Sequence, residues 1–259
     1  MAEKETKNNP KTLIEPTPDE MEKLKVESEI NVIVDRKAEN EKAMREDRLA
    51  RWVPKTQIGR DVLDGKETDI DHILETRNKI LEPEIAEKLL NLESDLIKIG
   101  QAKGKFGGGK RRAWRQTQRK TMEGNVVSFS AMAVVGDKNG HVGVGMGKGK
   151  ETLPAREKSA RNAKLAIQRI ERGCGNFDCS CNEKHSVPLI VEGKCGSVRV
   201  KLIPAAQGTG LVVGDELKKL LRLAGIKDVY GVTKGQTRTT FNAIKACFNA
   251  LLKTREVRR

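Results

Sequence analysis

Cys174, Cys179, Cys181 and His185 run in the order C-x4-C-x-C-x3-H. Three thiolates and an imidazole on so short a loop are the ligand types that suit tetrahedral zinc. An ion held by all four would be structural, because catalysis needs an open coordination position. The spacing is not that of a standard finger or ribbon. The same residues also read as three reduced loop cysteines and a histidine bonded to RNA or backbone. Cys195 and Cys247 read as small apolar core residues.

A second stretch invites a nucleotide-loop reading: Gly143-Val144-Gly145-Met146-Gly147-Lys148-Gly149-Lys150. Its spacing excludes one. Valines stand at 142 and 144, where the first glycine of a phosphate loop would fall. Neither Lys148 nor Lys150 is followed directly by Ser or Thr, and both occupy positions where a dinucleotide fingerprint needs glycine. The run is expected to be a tightly packed strand with Lys148 and Lys150 exposed near a phosphate backbone. His72 and His141 are isolated, and no Ser–His–Asp or Cys–His arrangement stands out. No enzymatic activity is expected, and no cofactor is required beyond the structural zinc that the cysteine loop would suit.

The strongest signal is basic. Residues 101–125 carry Lys103, Lys105, Lys110, Arg111, Arg112, Arg115, Arg119 and Lys120 against the single acid Glu123, with Trp114 among the arginines. Lysines and arginines so placed neutralise phosphates and release counterions. Net charge over 259 residues is +14. Residues 1–99 hold 18 Lys+Arg against 24 Asp+Glu; residues 100–259 hold 32 against 12. A polyanionic partner therefore belongs to the later part. Aromatics at 3% exclude broad base stacking and a deep aromatic-lined pocket for a small-molecule substrate. No apolar run is long enough to span a bilayer, so no membrane role is expected. The five cysteines suit a reducing cytoplasm rather than a secreted disulfide framework.

These residues need elements to hold them. Residues 1–51 read as a charged tail, with Val26, Ile30 and Ile33 hinting at one helical face. Ile70, Ile73 and Leu74 suit a short helix. Pro83 opens a longer one, with Ile85, Leu89, Leu92, Leu96 and Ile99 on one face and Gly100 as its stop. Residues 126–135 read as a strand, Asp137-Lys138-Asn139-Gly140 as a turn with positive φ at Asn-Gly, and 141–146 as a second strand. Thr152 is expected to cap the next helix, with Pro154 in its first turn. Ala160, Ala163, Ile167 and Ile170 mark its buried side; Arg156, Lys158, Arg161, Lys164 and Arg169 mark its wet or RNA-facing side. Further on, Val198, Val200 and Leu202 alternate with Arg199 and Lys201, a half-buried strand with a basic outer face. Gly208-Thr209-Gly210 turns the chain. Leu217, Leu220 and Leu221 suit a helix, residues 229–232 a strand, and Phe241, Ile244, Phe248 and Leu251 a last helix.

At this point the sequence resembles one family. Ser128-Phe129-Ser130-Ala131-Met132-Ala133-Val134-Val135-Gly136-Asp137 and Asn139-Gly140-His141-Val142-Gly143-Val144-Gly145 are similar to the first domain of the small-subunit ribosomal protein S-five family. Gly196-Ser197-Val198-Arg199-Val200-Lys201-Leu202-Ile203-Pro204-Ala205-Ala206-Gln207-Gly208-Thr209-Gly210 and Leu223-Ala224-Gly225-Ile226-Lys227-Asp228-Val229 are similar to its second. Trp52-Val53-Pro54-Lys55-Thr56 and Gly59-Arg60 resemble the extension of archaeal and eukaryotic members, and the cysteine-rich connection looks archaeal. The resemblance implies an α+β fold: a sheet-and-helix domain like a double-stranded-RNA-binding module, then a β-α-β-α two-layer sandwich, with a helical N-terminal extension. It implies rRNA contact near the mRNA entrance and decoding region, neighbours of the S-four and S-eight families, and a part in translational accuracy. Residues 122–125 match the family loop that reaches head rRNA. Eukaryotic members carry counterparts of His185 and Cys195 without the cysteine cluster, which makes Cys195 a rival fourth ligand.

The expected organisation is a tail at 1–51, a helical extension and basic linker at 52–109, the first domain at 110–172, the cysteine-rich connection at 173–186 and the sandwich at 187–259. The expected role is a ribosome-bound, cytoplasmic rRNA-binding constituent; a free double-stranded-RNA-binding protein or RNA chaperone is the alternative. The residues expected on RNA are the linker cations above with Lys148, Lys150, Arg156, Arg161, Lys164, Arg199 and Lys201.

Overall fold

The structure is a computed structural model that describes residues 43–77, 79–101, 111–181 and 183–256. The chain divides into two compact units, Met1–Trp52 and Val53–Arg259. In the first, residues 43–50 are helical. Val26, Ile30 and Ile33 lie outside the described residues.

The second unit begins with three short helices: α1 (Gln57–Leu63), α2 (Ile70–Arg77) and α3 (Pro83–Leu89). Thr56 caps α1, its hydroxyl accepting the Gly59 N–H at 3.1 Å. Glu82 Oε1 accepts the N–H groups of Lys55 and Thr56 at 2.9 and 2.6 Å, which ties the entry of α1 to that of α3. Ile70, Ile73 and Leu74 are buried on α2 as expected.

The long helix expected from Pro83 to Ile99 is not formed. Pro83 does open α3, but Leu90 turns extended at φ −120°, ψ 146°. Residues of the expected stripe instead form β1 (Glu93–Leu96). The cause lies in β3 (Gly124–Gly136). Along one edge, β2 (Trp114–Thr121) pairs with residues 124–131 of β3 and stops. β1 continues that edge, Leu96 opposite Ala133 and Glu93 opposite Gly136. A central strand with open N–H and C=O groups is costly, so pairing overrides helical spacing. Leu92 and Leu96 still reach the core, packed against Ala133, Val135 and Ala163.

The other edge of β3 pairs with β4 (His141–Gly149), and β4 with β5 (Gln168–Arg169). In the turn between β3 and β4, positive φ falls on Lys138 (62°) and Gly140 (107°), not on Asn139. Asp137 Oδ1 accepts the N–H groups of Asn139 and His141 at 2.7 and 3.0 Å, and the Lys138 N–H is drawn to Leu223 O at 2.9 Å.

Helix α4 (Thr152–Leu165) lies on β3 and β4, burying Ala155, Ser159 and Ala163. Its N-cap is Glu151, without a side-chain cap bond, and Thr152 is the first helical residue. Packing on β4 sets this entry: a Cβ at Gly149 would meet Glu151 O and Ala155 N at 3.2 Å. Ile167 and Ile170 are buried beyond the helix end rather than on it. The glycine run is the tightly packed strand expected of it. A Cβ at Gly145 would fall 2.1 Å from Ala163 N, and one at Gly147 2.2 Å from Ala155 O, so only glycine lets the helix backbone come this close.

The second sheet has the order β6-β7-β9-β8, from β6 (Val191–Cys195), β7 (Val198–Pro204), β8 (Leu211–Val212) and β9 (Val229–Lys234). Helices α5 (Asp215–Leu223) and α6 (Thr240–Glu256) complete this half, whose order is β-β-β-α-β-α where β-α-β-α was expected. One apolar core joins both sheets: Met132, Val134 and Val142 of the first pack with Leu220, Leu221, Val200, Ile244 and Leu251. The first sheet is thus buried on one face by α4 and on part of the other by α5. The architecture is α+β with two sheets.

Candidate nucleic-acid interface and metal centre

Beyond the part covered by α5, the first sheet is open and basic. Arg115 stands opposite Ser130 on β3, and Ser130 opposite Lys148 on β4, so the three side chains form one row across the sheet. Arg115 and Lys148 are exposed, as are Arg111, Arg112, Arg119, Lys120 and Lys150. On the helix side, Trp114 packs under two guanidinium groups, Arg156 at 4.6 Å and Arg112 at 5.9 Å from the ring centroid. Arg156 is half-buried by that stack, and Arg161 on α4 is exposed. Arg199 and Lys201 point outward from β7. Lys103, Lys105 and Lys110 lie outside the described residues.

Two cations expected on the outward side of α4 are committed inward. Lys164 pairs with Glu87 of α3, their side chains only 14% and 9% exposed. Arg169 lies on β5 and pairs with Asp71 at 3.0 Å, Glu75 at 3.5 Å and Glu171 at 3.3 Å. The 3.6-residue period put both on the wet side, and acids from the N-terminal extension then closed over them. His141 is held the same way. Its Nδ1 is 2.6 Å from Asp137 Oδ2 and its Nε2 2.8 Å from Asp71 Oδ1. Burial alone would push its pKa down; hydrogen bonds and charges of both carboxylates outweigh that and hold it above 6.5. With both ring nitrogens engaged, it is a structural clamp and not a free base.

The cysteine loop closes on itself. Cys174, Cys179, Cys181 and His185 bring one ligand atom each within 4.8 Å of one another. Cys179 Sγ lies 2.9 Å from Cys181 Sγ and 3.6 Å from His185 Nε2. The bond from Cys181, then backbone N–H groups of Cys181 and Gln207, hold the Cys179 thiol at about 6, while the same contact pushes Cys181 up to about 11. A lowered thiol pKa favours the thiolate, the form that ligates metals. His185 is 2% exposed, and its Nδ1 donates to Asp228 Oδ2 at 2.8 Å. That bond turns Nε2 toward the sulfurs, the arrangement by which a carboxylate orients a histidine ligand. A tetrahedron with Zn–S near 2.3 Å has edges of roughly 3.8 Å, so an ion would draw in the widest pair and part Cys179 from Cys181. Cys195 is not in the cluster; its Sγ faces Asn242 Oδ1 at 3.9 Å. Cys247 is the buried core residue expected, its thiol pushed up to about 12 by burial.

Two family models match the chain: ribosomal protein S5, N-terminal domain, over residues 113–171, and ribosomal protein S5, C-terminal domain, over 193–259. The small ribosomal subunit protein uS5 of Nanoarchaeum equitans is 49% identical over 211 residues, 81% of this chain and 90% of its own length. That of Pyrobaculum calidifontis is 47% identical over 207 residues, 80% and 95%. That of Methanococcus maripaludis is 42% identical over 220 residues, 85% and 90%. The chain belongs to the ribosomal protein S5 family. The identity to archaeal members makes it an archaeal-type one, in a family of structural, non-catalytic proteins.

Within this S5 frame, the cysteine loop falls between the two matched stretches, and Asp228 falls inside the second. Sequence reasoning missed Asp228 as the histidine's partner, although it lies in the quoted motif Leu223–Val229. It is 43 positions from His185, and only the fold brings them together. The same holds for Asp71 and Glu87, which lie 70 and 77 positions from the side chains they clamp.

Proposed function

We propose that this S5-family chain is a structural constituent of the small ribosomal subunit whose basic faces bind rRNA near the mRNA entrance and the decoding region. The observation that carries this reading is the row Arg115–Ser130–Lys148 across the first sheet, whose two cations are exposed, in a chain matched across both S5 domains. On this reading the first domain, 110–172, acts like a double-stranded-RNA-binding module, which reads duplexes by shape and phosphate position. The extension at 52–109 braces it, and the sandwich at 187–259 meets neighbours of the S-four and S-eight families. Arg111, Arg112, Arg115, Arg119, Lys120, Lys148, Lys150 and Arg161 grip phosphates, with Arg156 stacked into place beside them; Arg199 and Lys201 serve the second domain. The chain works ribosome-bound in the cytoplasm and supports assembly and decoding accuracy.

A salt-washed sucrose gradient of cell extract tests this. Recovery at about one copy per small subunit is expected. Recovery only in the soluble fraction, with tight binding to arbitrary duplexes, would instead favour a free RNA-binding protein.

The cysteine loop supports a structural zinc held by Cys174, Cys179, Cys181 and His185, with no position open for catalysis. Metal analysis of the purified chain should return one zinc per chain. Chelation should lower the melting temperature by roughly 5 °C or more, since metal binding energy is folding energy. Asp228→Asn should weaken zinc binding by about 10- to 100-fold. A metal-free chain with an unaltered melting curve in chelator would remove the zinc reading.

A further inference from the structure

The three cysteines of the connecting loop stand apart from the other two. Cys195 faces Asn242 and Cys247 is buried in the core, while Cys174, Cys179 and Cys181 are each partly open to solvent. Within the loop, one pair is set off by its contact. Cys179 Sγ and Cys181 Sγ lie 2.9 Å apart, with only Ser180 between them in sequence. An extended chain covers at most about 3.6 Å per residue, so the two Cα atoms are within about 7 Å of each other. Disulfides bridge Cα atoms roughly 4.4 to 6.8 Å apart, so joining the pair needs little backbone movement.

The pair has two incompatible uses. As metal ligands the sulfurs must stand apart, at the roughly 3.8 Å edge of a zinc tetrahedron. As a disulfide they must close to about 2.05 Å. The 2.9 Å contact lies between the two. The rest of the loop is fixed independently of that choice. Its base is closed by paired bonds between Gly173 and Ser186, each N–H donating to the other's carbonyl at 2.9 Å. His185 is buried and donates to Asp228, which also accepts the Gly210 N–H at 2.8 Å. The sulfurs can therefore change partners while the histidine and the loop base stay in place. Phe177 at the loop tip is fully exposed, so nothing from the chain shields that end from a small oxidant.

We propose that Cys179 and Cys181 form a thiol–disulfide switch, oxidised by a peroxide, whose disulfide state excludes the ion of the cysteine loop. The exclusion rests on the zinc reading above; the pairing of the two sulfurs does not. With hydrogen peroxide, one thiolate attacks an oxygen and breaks the O–O bond, becoming a sulfenic acid as the other oxygen leaves as hydroxide. The second thiolate attacks that sulfur, forms the S–S bond and expels its oxygen as a second hydroxide. The two sulfurs lose two electrons, the peroxide gains them, and two protons from solvent turn both hydroxides into water. Of the four ligands, only Cys174 and His185 then remain, too few for a structural zinc. The loop is thereby unfastened from His185, and a dithiol restores it by exchange.

The full chain, reduced and then offered zinc, tests this. Failure to take up metal is failure of the zinc reading and is seen at loading, before any oxidant is added. Hydrogen peroxide should remove two of the five thiols, counted after unfolding in chelator, and release one zinc to an indicator dye for each disulfide formed. Prior zinc loading should slow the thiol loss roughly tenfold relative to the metal-free chain. Dithiothreitol and fresh zinc should reverse both changes. Chymotryptic cleavage after Phe177 parts Cys174 from the other two. Separate fragments, with Cys174 still open to alkylation, support the Cys179–Cys181 bond; fragments that stay joined overturn it. Cys174→Ser leaves the pair intact and should still lose two thiols, and a variant that keeps every thiol also overturns the switch. Zinc retained by the oxidised chain, or equal rates with and without zinc, overturns the exclusion. In a chain that takes up no zinc, the thiol count and the fragment map decide the switch alone.

Discussion

The cations of the first domain meet two fates. Arg115, Arg119, Lys120, Lys148 and Lys150 stand exposed on the far end of the sheet. Lys164, Arg169 and Lys138 are engaged by Glu87, Asp71 and Glu93, all from the N-terminal extension, while Lys219 of α5 meets Asp95 at 3.2 Å and Leu96 O at 2.7 Å. The two groups have the same chemistry and the same apparent availability in sequence. What separates them is a segment rich in acids that folds back over one side of the domain. The excess of acid in residues 1–99 is therefore not a separate acidic region in function: part of it neutralises the second half and leaves the remaining positive charge concentrated on the open faces.

Substitution should break the two groups in opposite ways. The largest effect on folding is expected at the buried pair. Lys164→Ala strips Glu87 of its ammonium partner at a site nearly closed to water, at a cost of roughly 3 kcal/mol. Denaturant midpoints measure it, and the salt slope of RNA binding should not move. If stability were unchanged and the slope fell by about one, Lys164 would belong with the outward group after all. Arg115→Ala/Lys148→Ala is the converse. Both side chains are exposed, so stability should stay within about 0.5 kcal/mol. The slope of binding against salt should fall by about two, with a similar loss for every duplex sequence. A loss confined to one sequence would mean that the row reads bases.

Much of this was legible before any fold was known, and the exceptions share a cause. Alternation at Val198, Val200 and Leu202, the apolar faces of α5 and α6, the close-packed glycines of β4 and the clustering of Cys174, Cys179 and Cys181 with His185 all follow from local period and composition. The segment after Leu89 was misread because its helical spacing is real but weaker than the demand of an open β3 edge. Lys164 and Arg169 were misread because periodicity says which way a side chain points and not what will cover it. The turn at Lys138 and the helix entry at Glu151 depend on Leu223 O and on Gly149, contacts that arise only when distant elements pack. Asp228 was invisible for the same reason.

The smallest expected effect sharpens the paired group further. His141 bridges Asp137 beside it and Asp71 on the extension, and its pKa is raised above 6.5. A raised histidine contributes stability that is fully present below 6.5 and is lost as pH rises through the folded value. Asp137 has the opposite sign. Burial would push it up, but the bond from His141 and the N–H groups of Asn139 and His141 hold it below 3.8. Its contribution is present above 3.8 and is lost as pH falls through its lowered value. The clamp should therefore be strongest between these limits and weaken on the alkaline side by about 1 kcal/mol, the net scale of one intramolecular hydrogen bond. Urea midpoints from mildly acidic to alkaline pH measure this, and His141→Gln should flatten the alkaline limb while leaving the salt slope of RNA binding in place. A limb that survives the substitution would place the alkaline loss elsewhere, and the extension would then be held by Lys164 and Arg169 without help from the histidine.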